Sequence, residues 1–246
     1  MAKWNDPQPR SGFGASPSLN GRASGQTAYD TGLRRYMLSI YNYMASGVLL
    51  SGIVALLFAQ SGMALAMVSS PLKWVVMLAP IGFVFAISGG AARFSESTIK
   101  ALYWSFAVVM GLSLSTIFLI YTASSIATTF FATAAAFAGL SLYGYTTKKD
   151  LSGFGTFLIM GLIGILVASL LNIFLGSTVL QLAISILGVL IFAGLTAYDT
   201  QMLKNQYYQL QGTSFMGKAV VLGALNLYLD FINMFQFLLS FMGQRD

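Results

Sequence analysis

The chain has 246 residues, of which 57% are hydrophobic and 8% charged, against about 25% charged in a typical soluble domain. A water-soluble fold of this size cannot hide that much apolar surface, so the composition points to an integral membrane protein and argues against a soluble enzyme. Without cysteine or histidine there are no disulfides, thiol nucleophiles, thiolate metal sites or imidazole pH sensors, and the net charge of +6 reads as cationic loops at an anionic membrane surface, not as a nucleic-acid site.

In chain order, the first segment is polar. "DPQPRSGFGASPSLNGRASGQ" is rich in Gly, Ser, Pro and Asn and has no apolar period. It reads as a flexible tail over 1–35, followed by a membrane domain over 36–246. No apolar stretch of signal-peptide type lies near the start. Seven apolar runs follow, at about 40–59, 74–92, 101–123, 126–145, 155–175, 178–199 and 219–241. Each is long enough for an α-helix to cross a hydrocarbon core of about 30 Å. The alternation of a β-barrel is absent, and Gly, Ala and Ser recur within the runs, where they let helix backbones approach closely. The fold class expected is therefore all-α, with seven transmembrane helices. Pro80 is the one proline inside a run and predicts a kink. Trp74, Tyr103 and Trp104, near run ends, read as interfacial belt and packing residues.

Basic residues orient the spans. Lys3, Arg10, Arg22, Arg34, Arg35, Arg93, Lys100, Lys148, Lys149, Lys204 and Lys218 fall on one side. Lys73 falls on the other, joined by Arg245 if the last run crosses instead of re-entering. The bias predicts a cytoplasmic N-terminus, whichever course the last run takes.

Of the seven acids, only Asp199 and Asp230 lie within or at the end of apolar runs. An ionised aspartate at a helix centre costs about 2.5–3.5 kcal/mol on insertion scales, so such residues face a bundle interior and mark ion or proton paths. Asn226, Asp230 and Asn233 are spaced i, i+4, i+7 on one helical face, with Gln236 extending it loosely. This stripe needs other helices to cover it, which places the last helix inside the bundle. The sixth run carries a milder stripe of Gln181, Ser185, Gly188, Thr196 and Asp199, interrupted by Phe192. Asp230 lies twelve residues past Lys218, roughly 18 Å of helix. The two carboxylates can meet only if part of 212–220 extends the last helix beyond the membrane surface. The plainer alternative makes each aspartate a protonated residue that locks helices together. Arg93, at the end of the second run, could equally be an ordinary snorkelling anchor.

"GLSLSTIFLIY" (111–121), "AYDTQ" (197–201) and "LNLYLDFINMFQFLL" (225–239) resemble the Bax inhibitor-1 family, also called the transmembrane Bax inhibitor motif family, in its bacterial form. The resemblance covers about 36–243. It implies seven helices with the last surrounded by the other six. It also implies a pH-sensitive calcium leak channel of the bacterial inner membrane, or in animals and plants an endoplasmic-reticulum protein that suppresses cell death. The family's aspartate dyad falls on Asp199 and Asp230, and its arginine latch, counted back from Gly111, on Arg93. An acid that some members carry in the second helix has no counterpart in 74–92.

The expected mechanism follows from these groups. Two carboxylates held away from water do not readily both ionise, so they share a proton and titrate as a pair. Arg93 favours the ionised pair and could hold the site shut until protonation releases it. Calcium, a hard cation with oxygen ligands, suits a weak site of Asp199, Asp230, Asn226, Asn233 and water, and weak binding suits conduction. The choice of calcium over sodium or protons comes from the resemblance. No cofactor beyond the permeant ion is expected, and the partners expected are calcium and the lipid bilayer. Two other classes remain open. One is a modulator of a membrane-bound AAA protease, with the N-terminal tail as its handle. The other is a two-aspartate intramembrane protease, against which stands the absence of a Gly-x-Gly-Asp element.

Overall fold

A computed structural model describes the backbone of residues 19–244 and the side chains of 31–244. Among the described residues there are helices and no strands: α1 (Leu19–Gln60), α2 (Met63–Val68), α3 (Leu72–Gly90), α4 (Glu96–Leu114), a 3₁₀ turn (Ser115–Leu119), α5 (Ala123–Thr146), α6 (Ser152–Leu175), α7 (Thr178–Leu210) and α8 (Met216–Met242). Seven are long and apolar enough to cross a membrane. Their outer faces carry Phe131, Phe157, Ile173 and Phe174, all more than two-thirds exposed, a surface that lipid solvates and water does not.

Helix ends follow local chemistry. Ser95, Thr122 and Ser177 cap α4, α5 and α7, each accepting a backbone N–H three residues on. Gly176 takes φ +60° to stop α6. Several boundaries differ from the sequence reading. α1 runs back to Leu19, and Leu33 is buried, so the tail assigned to 1–35 overlaps this helix; residues 1–18 lie outside the described residues. α2 was not expected, because its six residues are too short to register as a span. α7 continues eleven residues past Asp199, since its extension keeps helix-compatible residues and buries Leu203 and Tyr207.

The third span does not stay α-helical. Ser115 Oγ donates to the Leu112 carbonyl (2.6 Å) and Thr116 Oγ1 to the Ser113 carbonyl (3.0 Å). Hydroxyls that compete for backbone carbonyls favour such local departures from the α-helix. Pro80 lies inside the unbroken α3. It has no N–H to give the Val76 carbonyl, and Ser113 Oγ of α4 donates to that carbonyl instead (2.5 Å).

α8 is the most buried span, 61% against 11–33% for the others. It packs on α1, α4, α5 and α7. α3 joins the bundle chiefly through α4, and α6 through α7, so four helices, not six, make the wall around α8. Small residues set the crossings: a Cβ on Gly144 of α5 would overlap the Ala197 carbonyl of α7, and one on Gly188 would enter the Phe237 ring of α8.

α8 also crosses the bundle from end to end. At its start, Lys218 Nζ donates to the Ala91 carbonyl in the α3–α4 turn (3.3 Å). Past its other end, the Gln244 carbonyl accepts from Thr122 N–H (3.1 Å), and Gln244 N–H donates to Ser125 Oγ (2.9 Å), at the start of α5. Twenty-seven helical residues rise about 40 Å, enough for a full crossing. The re-entrant alternative is thereby excluded; Arg245 itself lies outside the described residues.

Candidate functional site

Asp199 and Asp230 lie on the two packed helices α7 and α8. Met216–Val220 are helical, so the predicted extension of the last helix exists and brings Asp230 to the depth of Asp199. The two groups are close enough to interact electrostatically. Asp230 is 5% exposed, while Asp199 is half-buried. Asp230 Oδ2 accepts no hydrogen bond, a costly state for a buried carboxylate unless a proton or a cation meets it.

The face around the pair is built as the two stripes require. On α7, Gln181 Nε2 and Ser185 Oγ reach Ser240 Oγ of α8 at 3.3 and 3.0 Å. Phe192 stacks on Phe237, with ring centroids 5.9 Å apart. Thr196 and Thr200 are fully buried; Thr196 donates to the Phe192 carbonyl and Thr200 to the Thr196 carbonyl. On α8, Asn233 is half-buried, and its Nδ2 is spent on the Leu229 carbonyl (2.8 Å), leaving the amide oxygen as its free acceptor. Asn226 is half-buried. Gln236 is exposed and so leaves the stripe it was expected to extend.

Arg93 is elsewhere. It sits exposed in the turn between α3 and α4, and the latch is not made: among the described residues the one ion pair is Glu96–Lys100, at 2.6 Å within α4. The cation that ties this turn to α8 is Lys218. Asp150 accepts from the Ser152 hydroxyl and amide, which hold its carboxyl below the ordinary range. No cluster of three or more metal-ligating acids forms among the described residues, so a cation at Asp199 and Asp230 would complete its shell with amide oxygens and water.

Sequence reasoning missed the opposite face of α8. Tyr228, inside "LYLDFIN", is fully buried, and its hydroxyl lies 2.6 Å from Ser51 Oγ of α1. Ser51 in turn reaches the carbonyls of Gly47 (3.0 Å) and Ala107 (2.6 Å). Those carbonyls can only accept, so the single Ser51 proton goes to them and Tyr228 donates to Ser51. Phe106 and Tyr103 meet the Tyr228 ring edge-on at 5.1 and 6.5 Å. Tyr103, read as an interfacial residue, is thus core, and it donates to the Tyr43 carbonyl (2.8 Å). The clue to this network was present: a tyrosine in a run otherwise set for the centre of the bundle needs a partner for its hydroxyl.

Comparison with known proteins agrees with this architecture. The family model described as "Inhibitor of apoptosis-promoting Bax1" matches residues 33–246. An uncharacterized protein of Caulobacter vibrioides is 52% identical over 227 residues, covering 87% of this chain and 90% of the relative. The inner membrane protein YbhL of Escherichia coli K12 is 44% identical over 218 residues, covering 87% of this chain and 93% of YbhL. A Rickettsia prowazekii protein, RP147, is 43% identical over 219 residues, with 88% and 92% coverage.

Proposed function

Since the chain belongs to the Bax inhibitor-1 family, we propose that it is a pH-sensitive calcium leak channel, gated by the Asp199–Asp230 pair and not an enzyme. One observation carries the reading: a buried carboxylate, Asp230, keeps an unpartnered oxygen near a second, more accessible carboxylate on the neighbouring helix. A residue serving only to lock helices would spend that oxygen on a donor, as Tyr228 and Ser51 spend theirs. The pair instead has room for a proton or a passing cation.

In this mechanism the two carboxylates share a proton near neutral pH and take up a second as the pH falls. Each change of charge alters what α7 and α8 gain by lying together, and opening follows. Arg93 would close the site by reaching Asp199 in a second conformation of the α3–α4 turn. Calcium would pass held by Asp199, Asp230, Asn226, Asn233 and water, weakly enough to leave. The membrane proposed is the bacterial inner membrane, which the name of the relative YbhL supports. The bias of basic residues to one side supports a cytoplasmic N-terminus. The alternative role, modulation of a membrane AAA protease, would leave the aspartates structural.

The test is calcium uptake into liposomes holding the purified full chain, from pH 6 to 8, beside Asp199→Asn and Asp230→Asn. Flux that rises as pH falls in the parent and loses that dependence in either variant is the expected result. Flux that is absent, or that both variants leave unchanged, discards the channel reading in favour of the modulator.

A further inference from the structure

α1 and α5 border one cavity. It holds about 800 Å³, is lined on one side by Met44, Val48 and Leu49 and on the other by Phe130 and Ala134, and has Phe137 and Phe231 as its floor. One end differs. Arg34, at the start of the α1 crossing, and Ser141 and Tyr145, toward the end of α5, form a polar rim there with Tyr41. Lys204 Nζ adds charge beside that rim: it donates to the Tyr145 carbonyl at 2.8 Å and lies 5.3 Å from the Tyr145 ring centroid. Among the described residues no acid lines the cavity, and Arg34 is its one charged lining residue.

The shape limits the occupant. From Arg34 to Leu49 is about 22 Å of helix. A hydrocarbon chain can lie along that length, and an apolar lining with a basic end matches the tail and anionic headgroup of a lipid. A dry apolar void of this size forfeits packing contacts along its whole lining, and water would find few polar partners in it.

We propose that the groove between α1 and α5 is a binding site for one anionic phospholipid of the surrounding bilayer, its acyl chain along Phe137 and Phe231 and its phosphate at Arg34. The guanidinium offers paired N–H donors that match phosphate oxygens, and the hydroxyls of Tyr41 and Tyr145 can add further donors. The bound chain would touch Phe231, the residue after Asp230, so the lipid would lie against the helix that carries the aspartate. The proposal does not depend on ion conduction.

The test uses the full chain in phosphatidylcholine vesicles doped with spin-labelled phosphatidylglycerol or spin-labelled phosphatidylcholine, read by electron spin resonance. The parent should immobilise phosphatidylglycerol about five-fold in preference, the worth of one basic residue near the membrane surface. Arg34→Gln, at an exposed position, should bring that preference close to one and keep the chain immobilised. Ala138→Trp, which fills the groove from α5, should remove about one immobilised lipid per chain of either kind; Leu38→Trp, from the α1 side, replaces it if Ala138→Trp fails to fold. A preference that survives Arg34→Gln, or an immobilised population that groove filling leaves unchanged, means ordinary boundary lipid and overturns the proposal.

Discussion

Tyr228 and Asp230 stand two residues apart on α8 and face opposite sides of it. Both are buried polar groups in a bundle built of apolar side chains. Tyr228 closes a network with Ser51 and two backbone carbonyls that ties together α8, α1 and α4. Asp230 lies near Asp199 of α7, another acid, and keeps one oxygen unpartnered. One face of the helix is thus completed and the other left open. Tyr228 and Ser51 hold helices together with their donors and acceptors matched; a carboxylate left unmatched at the cost of burial instead gives reason to look for chemistry or transport.

That contrast can be broken by substitution. The largest effect belongs to Asp230→Asn: the rise of calcium flux with acidity should vanish between pH 6 and 8, while the melting temperature holds or increases, because a neutral amide replaces one of two neighbouring carboxylates. A fall of many degrees would instead make Asp230 a helix lock. On the completed face the reverse is expected. Ser51→Ala strands the buried Tyr228 hydroxyl, which should cost about 1–3 kcal/mol in reversible unfolding and leave the pH profile of flux in place.

Ser113→Ala sharpens the same point through the backbone. It removes the donor that replaces the missing N–H of Pro80, and it should cost about 1 kcal/mol. In a Pro80→Ala background, the restored N–H of residue 80 takes the Val76 carbonyl and that cost should fall, a coupling that a double-mutant cycle reads directly. Arg93→Gln, at an exposed residue without an ion pair in this conformation, should change stability by less than about 0.5 kcal/mol. If the latch forms in a closed state, the same variant raises flux at pH 8; flux unchanged at every pH would remove Arg93 from the gate. The smallest effect is that of Asp150→Asn. The Ser152 hydroxyl and amide hold this carboxyl below the ordinary range, so it stays ionised throughout pH 6–8, and the pH profile should not move.

What could be read ahead depended on the range of the physics involved. Hydropathy sums over some twenty residues and reports whether a segment prefers lipid, so the seven spans were legible without any contact. The i, i+4, i+7 spacing of Asn226, Asp230 and Asn233 marked a face needing cover, because helix geometry is local. Gln236 left that face because ten residues of a 3.6-residue period carry it off the stripe. The extension of α8 back to Met216 was also foreseeable, as the one way to bring two carboxylates to a common depth.

The sequence by itself determined the class of the molecule, the number of its spans, the identity of its two intramembrane acids and the polar faces that carry them. Only the tertiary structure decided which donors meet which acceptors. It pairs Tyr228 with Ser51, 177 residues away, and Ser113 with Val76, 37 away, and it ties the α3–α4 turn to α8 through Lys218, not through Arg93. It also leaves between α1 and α5 a groove that no periodicity foretells. The reason is physical: burial preference is a property of each segment against its solvent, whereas a hydrogen bond within about 3 Å, or a gap between two helices, depends on how all the helices pack at once.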